Sequence, residues 1–286
     1  MNRFFATLAA SLLVLTSAFG SFAQEANSLL WKVSGKDVTK PSYLFGTIHM
    51  LPEDKYFFTD KMQSALTSTD VLALEVDIDV PLAEQMKMAG EMIMPEGKSW
   101  SDYMAADDYA AVKSAFVDSL GFKEKKMEKY ARIKPIYVSG VILSELVGKV
   151  KMYEQELTSL AKKEKKTIIG LETFQEQMDI VSSVSLEDQM QDLKESTASM
   201  VRDYNEMLDA YVAQNLSELK KLSDDESFDK MEAKFLTERN DRWVKAIEQK
   251  LASTPTFYAV GAMHLVGEKG LIEQLKAAGY SVEAVN

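Results

Sequence analysis

The chain has 286 residues, 46% of them hydrophobic, with 33 Lys+Arg against 44 Asp+Glu and a formal net charge of −11. That balance excludes the basic face that nucleic acid requires and disfavours an anionic membrane surface. Cysteine is absent, which excludes disulfides, thiol nucleophiles and Cys-type zinc sites and leaves the core alone to hold the fold.

Residues 1–23 read as a secretory signal peptide. Arg3 supplies a positive start, Phe4 to Phe19 is apolar and uncharged, and Ser21-Phe22-Ala23 puts small residues where a signal peptidase cuts. The apolar run is short of the ~20 residues a spanning helix needs. The expected product is an exported chain, periplasmic or secreted, with no stable membrane insertion after cleavage.

Ser28 to Val33 looks like an edge strand, Gly35-Lys36-Asp37 is a turn signal, and Lys40-Pro41-Ser42 leads into a second strand, as in a hairpin. That second strand is Tyr43-Leu44-Phe45-Gly46-Thr47-Ile48-His49. Its frame recurs at Tyr258-Ala259-Val260-Gly261-Ala262-Met263-His264, and the chain's 2 His both occupy it. A helical stretch follows each, Asp60 to Leu66 and Gly270 to Ala277, so a strand–GxxH–helix unit is used twice.

Val71 to Asp79 reads as a strand whose start is continuously apolar and whose end alternates, putting Glu75, Asp77 and Asp79 on one face. Strand, helix, strand is the order of a crossover in a mostly parallel sheet. In such sheets ligands bind at the carboxyl ends of the strands. Residues 82 to about 165 are mostly helical. Met86, Met88, Met92 and Met94 read as helical core, with an adaptable binding surface as the rarer alternative. Trp100 to Leu120 and Lys134 to Val147 are further helices, and the lysine runs at 123–129 and 162–166 are solvated helix ends.

Thr167 to Glu172 is a strand ending in a glycine and a carboxylate, and Thr173 opens a helix. Ser185 to Asp188 has capping spacing at the head of a helical stretch from Leu186 to about Leu222. Another helix spans Lys230 to Leu251, and Thr256 to Val260 and Tyr280 to Val285 are the last strands. No linker divides the chain. The expected fold is one α/β domain over 24–286, with a mixed, mostly parallel central sheet made from the two repeated units and a large helical insertion; 82–165 and 186–250 are mostly helical.

His49, Glu75, Glu172 and His264 lie at or near predicted strand ends, which one sheet rim can gather. Two imidazoles and a carboxylate make an open site for a divalent metal. His49 and His264 are the candidate ligands; which carboxylate joins them, and which takes a proton from metal-bound water, stays open among 44 acids, with Glu75 and Glu172 at strand ends. An arginine such as Arg239 would stabilise an oxyanion, although spacing alone does not select it from the other basic residues. Taken singly, each His reads more simply as a hydrogen-bonded structural residue.

Leu44-Phe45-Gly46-Thr47-Ile48-His49, Ala73-Leu74-Glu75, Gly170-Leu171-Glu172-Thr173-x-x-Glu176-Gln177, Glu238-Arg239-Asn240 and Gly261-Ala262-Met263-His264-Leu265-x-Gly267-x-x-Gly270-Leu271 resemble the TraB/GumN family in order and over nearly the whole mature chain. That family is similar to the Tiki metalloproteases and, more distantly, to erythromycin esterases and a haem-binding lipoprotein. The resemblance implies two repeated halves and an active centre of His49, His264, Glu75 and Arg239, with Glu172 and Gln177 in a motif of less defined role. Through the Tiki relatives it implies a manganese, cobalt or zinc ion and peptide hydrolysis. Through the others it implies metal-independent esterase-like hydrolysis, or haem or metal binding without chemistry. The expected partner is a peptide or small-molecule substrate.

Overall fold

The computed structural model describes residues 27–36, 38–77, 81–222 and 232–286. The signal-peptide segment, Asp79 and the first residues of the helix predicted from Lys230 lie outside them. Eight strands are formed among the described residues: β1 Leu30–Ser34, β2 Ser42–Thr47, β3 Leu51–Pro52, β4 Val71–Val76, β5 Val150–Lys151, β6 Thr167–Glu172, β7 Thr256–Gly261 and β8 Ser281–Ala284. The helices among the described residues are α1 Asp60–Thr67, α2 Leu82–Glu91, α3 Ala106–Ser114, α4 Glu124–Tyr130, α5 Pro135–Val147, α6 Tyr153–Lys163, α7 Phe174–Ser182, α8 Leu186–Ser196, α9 Met200–Val212, α10 Leu216–Leu222, α11 Glu238–Leu251 and α12 Leu271–Ala277.

Six strands make the central sheet in the order β6-β4-β7-β2-β1-β8. β6, β4, β7 and β2 run parallel, and β1 is antiparallel to both of its neighbours. This is the mixed, mostly parallel α/β sheet that the alternation of apolar strands with helices predicts. The apolar runs are buried as expected for strands covered on both faces; Phe257 to Val260 of β7 are all buried.

The edge assignment of the first strand is corrected. β8 pairs outside it, Trp31 against Ala284 through Ser34 against Ser281, and makes the edge instead. Leu30 and Val33 are buried, so an unpaired β1 would have exposed a row of backbone donors beside core side chains.

The two GxxH units end on neighbouring strands. The β2·β7 register sets Gly46 opposite Val260 and Thr47 opposite Gly261. One rim of the sheet therefore receives both histidine segments, and the ends of β4 and β6 beside them.

The insertion has its own buried cluster. Trp100, Phe116, Met127 and Ile142 pack there with Met190 and Leu193 of α8. Met94 joins that core while Met86 is solvent-exposed, so the methionine segment is partly core. The stretch predicted as continuous from Leu186 to Leu222 is three helices. Thr197 and Ser199 hydroxyls bond back to the carbonyls of Leu193 and Ser196, where they compete with helix continuation. Gln214 takes a positive φ of 55°, and Asn215 Oδ1 then accepts from Glu218 N at 3.1 Å to start α10. No helix among the described residues is long and apolar enough to cross a membrane.

Gly270 precedes α12 in the second unit. A Cβ there would stand 2.4 Å from the Val266 carbonyl oxygen and 2.5 Å from that of Leu265. The backbone would have to move, so Gly270→Ala is expected to destabilise by about 2 kcal/mol. Chemical denaturation checks this; a loss below about 0.5 kcal/mol would show that the loop yields freely.

Candidate active site

Four of the predicted residues meet at the carboxyl ends of β6, β4 and β7, and Arg239 is their centre. It lies in the first turn of α11, after the π-helical turn Ala233–Thr237. Its Nε donates to Glu172 Oε1 and Oε2 at 3.1 and 3.2 Å, and its Nη2 to Glu172 Oε1 at 2.7 Å and Glu75 Oε2 at 2.6 Å. Its Nη1 donates to the Phe235 carbonyl and to His264 Nε2, both at 3.0 Å. A guanidinium has five N–H donors, and here each has an acceptor. In this arrangement no Arg239 N–H is left to face a developing charge, as the expected oxyanion role would need.

The surroundings explain how a cation and two carboxylates stay buried. Glu172 side chain is only 1% exposed, yet it also accepts from Arg242 Nη2 at 3.4 Å and Gln177 Nε2 at 3.5 Å. The Gly261 backbone N–H donates to Glu75 Oε1 at 2.7 Å. A Cβ on Gly261 would come 3.2 Å from that same oxygen, so the glycine admits the carboxylate. One helical turn beyond Arg239, the Trp243 ring lies under the guanidinium, 4.5 Å from its central carbon, and against the His264 ring at 4.4 Å. A desolvated cation over such a face gains about 2 kcal/mol.

His264 is 3% exposed. Asn240 pins it: Asn240 Nδ2 donates to the carbonyls of His264 at 3.3 Å and Lys269 at 2.9 Å, and Asn240 Oδ1 lies 2.7 Å from His264 Nδ1. With its amide nitrogen so engaged, Asn240 presents an acceptor, which assigns the ring proton to Nδ1. Nε2 is then a lone pair facing Arg239. Burial pulls the imidazole pKa down to about 4, so the ring is neutral at ordinary pH. Burial pushes Glu75 upward, but the charges of His264, Arg239 and His49 and the Gly261 N–H outweigh it and hold Glu75 at about 2. At neutral pH, where His264 is uncharged, Arg239, the His49 cation and the Gly261 N–H carry that effect. Burial raises Glu172 against the opposing pull of Arg239 and Arg242.

His49 is placed differently from its repeat partner. After His264 the chain turns inward through Leu265 and Val266, both buried. After His49 the chain is anchored too, with Leu51 of β3 buried, yet the His49 side chain itself is 70% exposed. Two α9 phenols flank it, Tyr211 donating to the Gly46 carbonyl at 2.9 Å and Tyr204 to that of Met50 at 3.1 Å. His49 Nδ1 lies 3.0 Å from Glu154 Oε1. That hydrogen bond, together with the charges of Glu154 and Glu75, lifts the imidazole to about 9, so it is a cation at the mouth of the site.

The ligand set His49, His264 and Glu75 is not assembled as a cation cage. Among the described residues no three His, Asp or Glu side chains are arranged to hold a metal. The guanidinium of Arg239 stands where an ion would have to meet His264 Nε2 and Glu75 Oε2, so in this arrangement the residues do not fit a resident metal. For haem, likewise, His264 has no free nitrogen.

Sequence reasoning did not assign Asn240, Trp243 or Glu154. The first two carried a signal: Asn240 adjoins Arg239, and Trp243 follows it by four residues, the spacing of one helix face. Glu154 carried none, since it reaches the site only through the pairing of β3 with β5. Asp77, at the strand end, lines a recess of about 370 Å³ with Glu172. A groove of about 410 Å³ is walled in part by Phe235 and Lys234.

A profile of the TraB/PrgY/gumN family matches residues 29–284. Among curated proteins, Metalloprotease TIKI1 of Xenopus tropicalis is 21% identical over 317 aligned positions, which take in 90% of this chain and 61% of the relative. The chain thus spans about three fifths of that protein's length. No solved structure gives a significant match. The profile covers most of the chain, which therefore belongs to the TraB/PrgY/gumN family.

Proposed function

We propose that the protein is an exported hydrolase that cleaves a peptide or related acyl bond at the rim formed by β2, β4, β6 and β7. One observation carries this reading. A network of two carboxylates, Glu75 and Glu172, around the Arg239 guanidinium and the neutral His264 ring is buried where parallel strands end, with a solvent-facing imidazolium, His49, in electrostatic reach of Glu75, Arg239 and His264. Satisfying a core did not require two carboxylates and a guanidinium there, since buried ion pairs do not by themselves add stability.

In this reading His49 gives: its Nε2–H meets the substrate carbonyl or leaving group as hydrogen-bond donor and general acid. Glu75, whose Oε1 accepts from the Gly261 N–H and whose Oε2 accepts from Arg239, is the group that takes a proton from water. Arg239 and Glu172 hold Glu75 in place. The recess beside Glu172 and the groove beside Phe235 are of a size to seat a substrate. The likeness to a metalloprotease supports a peptide bond as the target, and the apolar segment ahead of Gln24 supports export.

The test is hydrolysis of peptide and ester libraries by the chain from residue 24 onward, beside His49→Ala. Loss of a positioned acid is expected to lower kcat/KM by about 10²–10⁴-fold with the fold intact; unchanged turnover would sink the proposal. Runs with chelator, and with added manganese, cobalt or zinc, belong in the same experiment. Turnover that depends on the added ion would mean that the ion displaces Arg239 from His264 and Glu75.

A further inference from the structure

We propose that Glu154 is the positioning residue of His49, holding the ring by Nδ1 so that Nε2 is the nitrogen presented to substrate. The contact joins residues 105 apart in sequence, at 3.0 Å. It is built by the fold. β3 pairs with β5, Leu51 with Lys151 and Pro52 with Val150, and Glu53 N donates to the Lys149 carbonyl at 2.9 Å. That short ladder brings the first turn of α6, which carries Glu154, against the segment that follows His49. Tyr153 beside it donates to the Phe57 carbonyl at 2.7 Å and so ties the same turn down from its other side.

The exposures separate this contact from an ordinary surface ion pair, whose two partners are both solvated and worth little to each other. Glu154 is mostly buried, with 16% of its side chain exposed, while His49 is 70% exposed. Glu154 Oε2 is buried without a partner, and His49 is the hydrogen-bond partner of Oε1. A carboxylate is costly to keep out of water unless it is bonded. This one is kept there with a single bond, to a ring that needs nothing from it for burial. What the arrangement gains is the ring's orientation. A carboxylate accepts only, so Nδ1 must carry the proton and Nε2 is the nitrogen left to the site.

The role in turnover rests on the hydrolase reading above; the positioning itself does not, and the experiment reads the two apart. Because the chain has 2 His, long-range proton–nitrogen NMR spectra of the full mature chain contain two imidazoles, assigned by His49→Gln. At alkaline pH, where the ring is neutral, Nδ1 of His49 carries the proton in the wild type and in Glu154→Gln, whose amide oxygen still accepts. In Glu154→Ala the proton moves to Nε2, and His264 is unchanged in all three. Turnover follows: kcat falls about 10–100-fold in Glu154→Ala, KM stays nearly constant, and Glu154→Gln recovers most of the loss. His49 signals in Glu154→Ala that match the wild type would overturn the proposal, whether or not a substrate has been found. Altered His49 signals with unaltered turnover would overturn the catalytic part.

Discussion

Arg239→Met is expected to cost about 3–5 kcal/mol of stability and to abolish turnover. Methionine nearly matches the buried length, so the loss comes from charge. Glu75 and Glu172 would be left facing each other out of water, and the lone pair of His264 Nε2 and the Phe235 carbonyl would lose their donor. At this chain length such a loss lowers Tm by roughly 10 °C. Arg239→Lys would keep the charge but not the fork, since an ammonium cannot reach four acceptors held in the guanidinium plane; an intermediate loss is expected. The decisive variant combines Arg239→Met with Glu75→Gln and Glu172→Gln. Neutral amides remove the unpaired charges, and stability should recover by more than half while turnover stays absent. A single Arg239→Met that unfolds within about 1 kcal/mol of the wild type would mean that the network is solvated.

The sheet was legible because its evidence is periodic. Val71 to Leu74 and Phe257 to Val260 are apolar without interruption, and strands covered by helices must be. The candidate site was legible through rarity: two histidines in matching frames and carboxylates at strand ends. Its internal wiring was not. The two histidines share one sequence frame, yet one is buried and neutral and the other exposed and cationic. That difference depends on which groups the fold brings to each ring, Arg239, Asn240 and Trp243 to His264 but Glu154 to His49, which are tertiary outcomes. The role of Arg239 was also hidden. Its sequence context marks it as present in a motif, but only the positions of Glu75, Glu172, Phe235 and His264 around it show that all of its donors are taken.

Acidification should unfold the protein in two stages, and the first belongs to His264. Its folded pKa is about 4 against 6.5 for an unperturbed imidazole. Between those values the unfolded chain binds a proton that the folded chain refuses, so stability falls as pH falls, by about 3 kcal/mol in total. Below about 4 the folded ring protonates too and the slope ends. Glu75 supplies the second stage: its folded pKa of about 2 lies below the usual 4.5, so its contribution is complete above 4.5 and is lost as pH drops through 2. Glu172, raised by burial, opposes this, because the folded state accepts its proton first. His49 does not enter the first stage. Its folded pKa of about 9 lies above 6.5, so what it adds is complete below 6.5 and is lost only as pH rises through 9, and solvent around the exposed ring keeps it small. Urea midpoints of wild type and His264→Gln, measured between neutral pH and about 4.5, therefore isolate one imidazole. The variant is less stable at neutral pH, having lost the Trp243 stack, but its midpoint should hold nearly level over that range while that of the wild type falls. Parallel slopes would mean that His264 protonates in the folded state, and with Nδ1 already donating to Asn240 the new proton on Nε2 would have to point at Arg239. The guanidinium would then have to leave its place, which is the same displacement that a metal ion would require.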